Sequence, residues 1–166
     1  MVVLRLACET RKLFMRTLSD IQAQYPYLLH TNRELGLMLA GIKPAAFFGD
    51  ALDALSPVLV RYLRRFDRHV AAGRLVRRDC CLDPRPRLPW RMHCIYFALP
   101  AEEWRIDELI ALHDAMFIDQ IWSVETERRE GELLGYEDWM NDFHLARLAR
   151  LAEERDTGTL DQTVAG

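Results

Sequence analysis

Apolar residues recur along this chain at two spacings. Steps of three and four, the mark of one buried helix face, run through Phe14, Leu18, Ile21 and Tyr25 in a helix from Thr10 that Pro26 stops. They return in Leu35, Met38 and Leu39, in Leu59, Tyr62, Leu63, Phe66 and Val70, and in Ile106, Leu109, Ile110 and Leu112. From Asp114 the set Phe117, Ile118, Ile121, Trp122 and Val124 continues the pattern as a further helical arm. A last helix opens at Glu137-Asp138, where the bare amides of a helix start favour negative charge, and carries Met140, Phe143, Leu148 and Leu151.

The second spacing is that of strands. Ala45-Ala46-Phe47-Phe48, closed by Gly49-Asp50, predicts a short strand, with Pro44 suited to an edge position. Leu75 to Leu82 and Arg91 to Leu99 predict two more. In the last of these both alternating sets are largely apolar, Met92, Cys94, Tyr96 and Ala98 against His93, Ile95, Phe97 and Leu99. A strand buried on both faces belongs in the centre of a sheet. Three prolines in Asp83 to Trp90 make the link between these two strands stiff and extended. Residues 2–7 fit a strand or a helix equally.

Boundary residues support these elements. Thr31-Asn32-Arg33-Glu34 has the spacing of a capping box, and Gly41 with Pro44 ends the helix that follows. Ser56-Pro57 supplies a favoured N-cap and a favoured first helical residue, and Gly73 closes that helix. Gly135, after Leu133-Leu134, suits the left-handed residue past a helix end. It makes a corner between the two arms that span Asp114 to Arg155. Gly36 and Gly131 sit inside helical patterns, at roughly 1 kcal/mol each relative to alanine; close helix packing is the plain explanation. The expected fold is α+β and mostly helical: about six helices and a small two- or three-stranded sheet from residues near 45, 78 and 95. Residues 1–155 form a single globular domain, and 156–166, with little to bury, a loose tail.

Composition agrees. The 166 residues, half of them hydrophobic, suffice for one domain with its own core. No apolar run approaches the ~20 residues that cross a bilayer. Cys8 follows an apolar start, but Arg5 interrupts it and the run is too short for an export signal. The expectation is a cytoplasmic protein with its four cysteines reduced. The net charge of −3 hides a strong asymmetry. Between Arg61 and Arg91 ten arginines stand against three aspartates, and between Glu102 and Asp142 thirteen acids stand against three arginines. The two blocks either face each other or offer opposite potentials to different partners.

Candidate chemistry is sparse. Cys80, Cys81, His93 and Cys94 are zinc-ligand types, but adjacent strand residues point to opposite faces, which leaves two per face. Buried thiols are the simpler reading. His113 and His144 lie among carboxylates, yet Ile110 and Asn141 occupy the positions where a glutamate-x-x-histidine metal step needs acids. There is no glycine-x-serine-x-glycine elbow and no glycine-rich phosphate loop. No cofactor and no bound metal are expected.

The leading expectation is a non-catalytic module that binds a basic protein or peptide, as an immunity-type protein or an accessory subunit of a larger enzyme. An acidic helical face would steer such a partner. Its contact set is Glu125, Glu127, Glu130, Glu132, Tyr136, Glu137, Asp138 and Trp139, with the Glu125–Glu132 stretch standing in water. One alternative is a small acid–base or metal-assisted enzyme using His113 or His144 with nearby carboxylates. The other is nucleic-acid binding through Arg61, Arg64, Arg65 and Arg68, which share one face of their helix opposite its apolar stripe.

Overall fold

The computed structural model describes residues 21–52, 54–86 and 90–161, with side chains as far as 154. The order of elements is α1 (Glu34–Leu39), β1 (Ala45–Ala51), α2 (Pro57–Ala71), β2 (Val76–Leu82), β3 (Met92–Ala98), a 3-10 turn (Pro100–Glu102), α3 (Trp104–Phe117), α4 (Val124–Leu133) and α5 (Asp138–Asp161). The fold is α+β, with five helices among the described residues and one three-stranded antiparallel sheet. Most of the helix expected from Thr10 lies outside the described residues, as do residues 2–7 and Cys8. Helix α5 continues to Asp161, into the stretch read as a tail.

The sheet runs β1-β3-β2, so the doubly apolar strand is the central one. Its two residue sets feed two cores. Met92, Cys94, Tyr96 and Ala98 pack with Ile106 and Leu109 of α3 and Leu133 of α4. Ile95 and Phe97 pack on the other face with Leu63 and Phe66 of α2 and Met38 of α1. The strand register pairs Cys80 with Cys94 and Cys81 with His93, so these four residues divide between the two faces. A third cluster joins Tyr25, Tyr27 and Leu29 to Met140 and Phe143 of α5.

Two helix starts differ from expectation. Thr31 and Glu34 form no capping box: α1 begins at Glu34 after Arg33, with no side-chain cap, and Asn32 adopts φ +63°. The Glu34 carboxylate instead accepts the Tyr62 hydroxyl at 2.7 Å. A capping box is present at α4, where Ser123 Oγ accepts the Thr126 amide and Thr126 Oγ1 accepts the Ser123 amide. That box exists because the arm expected to run on from Asp114 is broken. Helix α3 ends at Phe117, Gln120 turns with φ +61°, and α4 starts afresh at Val124. The break leaves Ile118, Ile121 and Val124 exposed.

The α4–α5 corner behaves as its glycine implies. Gly135 has φ +83°, and a Cβ there would lie 2.3 Å from Pro44 Cδ. At Gly131 a Cβ would collide with the Asn141 side chain at 1.9 Å. Gly131 therefore permits α5 to pass against α4.

Candidate functional site

Helix α4 reads as polar throughout, but the fold buries part of it. Three-residue spacing places Glu127, Glu130 and Leu133 on the side toward the core. Glu127 is 7% exposed and Glu130 2%. The expectation that these acids look outward fails, because α3 and α5 flank α4 and present histidines to that face.

His113, from α3, meets Glu130: Nε2 lies 3.1 Å from Oε1. Its other nitrogen, Nδ1, lies 2.9 Å from the hydroxyl of Tyr96 on β3. An ionised carboxylate only accepts. Nε2 therefore carries the proton, and Nδ1 accepts from Tyr96. Burial works against the charged form of Glu130, yet nearby positive charge and the bond from His113 hold its carboxyl below the ordinary range.

His144, from α5, makes a looser version of this arrangement one turn away. Its Nδ1 is 3.0 Å from the Tyr25 hydroxyl, and its Nε2 is 3.7 Å from Glu127 Oε2. Two tyrosine–histidine–glutamate sets thus converge on adjacent turns of one helix, the first hydrogen-bonded throughout and the second with its histidine and glutamate in ion-pair range but beyond hydrogen-bond distance. They differ in access. His113 is fully buried, closed over by the Phe47 ring at 4.2 Å. Tyr25, His144 and Glu127 line a cavity of about 100 Å³, together with Tyr27, His30, Glu34, Lys43, Glu130, Tyr136 and Asn141.

Lys43 enters this cavity just before β1 and is 3% exposed. Its ammonium donates to the Leu134 carbonyl at 2.8 Å, at the C-terminus of α4 where a cation is favoured. His30 Nδ1 lies 3.4 Å from the same group. Burial and the Lys43 charge push the His30 pKa down to about 4, so its ring is neutral near pH 7 and Nδ1 is the acceptor. Burial also lowers Lys43, to about 8, against the pull of Glu34 and Glu130. Tyr136 stacks on His30 at 4.1 Å, and its hydroxyl accepts the His30 amide. Burial pushes the Tyr136 phenol up to about 12.

The residues expected to form one acidic contact face divide into three groups. Glu127 and Glu130 are buried in these sets. Tyr136 and Glu132 are half-buried; Tyr136 lines the cavity and Glu132 accepts from Arg129 at 3.0 Å. Glu125, Glu137, Asp138 and Trp139 remain exposed, with the Trp139 indole donating to Glu137 at 2.9 Å. Arg61, Arg64, Arg65 and Arg68 are all exposed on α2, whose one acid, Asp67, is turned toward Arg77. Elsewhere the opposite blocks meet directly, as where Arg78 bonds Glu103 and Asp107.

The sequence offers His113 and His144 as candidates but does not pair them with Glu130 and Glu127, which stand 17 residues away in each case and on another helix. Tyr25 and Lys43 carry no local signal at all. Among the described residues, no group of three or more histidines, cysteines and acids could hold a metal ion, and no helix is long and apolar enough to cross a membrane. Comparison with protein-family models, with curated protein sequences and with solved structures gave no match.

Proposed function

We propose that this protein binds a small polar molecule in the α4 cavity and exchanges a proton with it through the Tyr25–His144–Glu127 relay. One observation carries this reading: three carboxylates, a lysine and two histidines line a single small cavity inside the fold. Placing such groups away from water costs several kcal/mol per ion, and perturbed titratable groups gather at functional sites more often than elsewhere. In this scheme His144 is the proton carrier, Glu127 orients its ring, and Tyr25 takes or gives the second proton. The buried Tyr96–His113 pair holds Glu130 in place at the cavity wall.

A screen of small metabolites by thermal shift tests it. At least one compound should stabilise the wild-type protein and lose that effect in both Glu127→Gln and His144→Asn. Ligands indifferent to both substitutions would place binding elsewhere.

A second reading keeps the basic partner. Trp139 is 47% exposed beside exposed Glu137 and Asp138, and a tryptophan rimmed by acids suits an interface anchor. Charge reversal at Glu125, Glu137 and Asp138 should abolish capture of a partner from the native host. Capture that survives all three reversals removes this surface from consideration.

A further inference from the structure

We propose that Cys81 is a thiol-modification site: with His93 as its base, it exchanges with a small disulfide and carries the resulting mixed disulfide. The site stands on the α2 face of the sheet and does not depend on the α4 cavity.

Strand register builds it. Cys81 on β2 stands directly opposite His93 on β3, and side chains paired in this way have Cβ atoms about 4.5–5.5 Å apart. Asp79 precedes Cys81 by two residues and so shares its face. The His93 ring leans from β3 toward β2, with Nε2 3.0 Å from Asp79 Oδ2. Arg77 donates to both oxygens of Asp79, at 2.7 and 2.8 Å. The Arg77 bonds hold the Asp79 carboxyl below the ordinary range, so it is ionised and only accepts. Nε2 therefore carries the ring proton, and Nδ1 is left as the base. On the β1 side the acid opposite His93 is Asp50. Its two oxygens accept the Ala51 and Ser56 amides instead. A nucleophile, a base and an acid that orients the base thus share one face of two neighbouring strands, the arrangement that activates a thiol.

Access separates the three described cysteines. Cys94 is buried and Cys80 half-buried, but Cys81 is exposed, so the expectation of a buried thiol fails there. Burial pushes the Cys80 thiol up and the Cys94 thiol to about 12. Those two stay protonated, and the thiolate is the form that attacks. Cys80 and Cys94 also pair with each other on the opposite face, toward α3. No other described thiol shares the face of Cys81. The mixed disulfide therefore persists until a thiol from solution displaces it.

The exchange balances. The Cys81 proton passes to His93 Nδ1, and the thiolate attacks one sulfur of the small disulfide. A new sulfur–sulfur bond forms as the old one breaks. The leaving thiolate takes the proton back from His93. The small disulfide is the oxidant: half of it leaves as a thiol, and Cys81 keeps the other half.

The test treats the full chain with hydroxyethyl disulfide, which is neutral, so charge changes in the variants do not alter its approach. Uptake is read at each cysteine by peptide mass spectrometry from about pH 6 to 9. Cys81 should react tenfold or more faster than Cys80 and Cys94 near neutral pH. His93→Asn should slow Cys81 about tenfold there and leave a rate that rises only through the ordinary thiol range, near 8.5. Asp79→Asn, which keeps the base but not its orienting charge, should slow it severalfold. Cys80 and Cys94 staying slow reports an intact fold in each variant. If His93→Asn exposes them, Asp79→Asn decides alone. A Cys81 rate unchanged by the substitutions would reveal an exposed thiol without a base and overturn the proposal, as would faster uptake at Cys80 or Cys94 in the wild type.

Discussion

Glu127 and Glu130 stand three residues apart on the inner face of α4, and each carboxylate meets a histidine from a different neighbouring helix. The pairing turns the chain's most acidic-looking helix into the inner wall of a cavity. It also makes both stability and ligand binding depend on contacts between helices.

The His113–Glu130 contact is the more deeply buried of the two. Removing one partner of a buried pair costs about 3–5 kcal/mol, whereas replacing both by apolar groups is often close to neutral. Glu130→Met should therefore destabilise by that amount in urea unfolding. His113→Leu combined with Glu130→Met should recover part of the loss. Strictly additive losses in the double-mutant cycle would show that the two side chains act separately.

Gly135 and Gly41 both have positive φ, at +83° and +72°, but differ in what a side chain would meet. Nothing lies within 4 Å of a Cβ at Gly41, whereas Pro44 blocks one at Gly135. Gly41→Ala should cost about 1–2 kcal/mol, the left-handed penalty alone. Gly135→Ala should cost clearly more in the same assay. Equal losses would mean that Pro44 moves aside freely.

His30 sets a pH dependence of definite sign. Its pKa is near 6.5 in an unfolded chain and about 4 in the fold. Between those values the unfolded state binds more protons, so stability falls as pH drops through the window. The wild type should lose about 1–3 kcal/mol relative to His30→Asn between pH 7 and pH 4. Lys43, lowered to about 8 by burial, acts at the other end: its share of stability grows as pH rises from about 8 toward its unfolded value. Parallel stability curves for wild type and His30→Asn would remove His30 as the source of the acid limb.

The α2 arginines test the nucleic-acid alternative. Arg61→Glu with Arg64→Glu should change stability by no more than about 0.5 kcal/mol, as for most exposed positions. It should also lower retention on a heparin column at low salt, with the wild-type elution falling steeply as salt rises. A wild-type protein that passes straight through at low salt would end that alternative.

Much of the architecture is legible in local residues. Strand β3 announces its central place because both of its faces are apolar, and Ser56-Pro57 and Gly73 bound α2 as the structure has it. Gly135 marks its corner because only glycine takes that backbone angle beside Pro44 without strain. Local pattern misleads where two solutions are equally available. Thr31 has the spacing of a capping box but forms none, whereas Ser123, which falls inside the apolar periodicity of the arm from Asp114, caps α4 because the chain breaks there.

By itself, the sequence determined the three strands, most of the helical segments, where several of them stop, and that the sheet has one strand buried on both faces. Tertiary structure alone decided that Glu127 and Glu130 point inward, that Tyr25 reaches His144 from 119 residues away, and that Lys43 caps α4 inside the cavity. The reason is physical. Periodicity shows which residues share a face, but whether a charged face meets water or a histidine depends on what packs against it, and that neighbour comes from elsewhere in the chain.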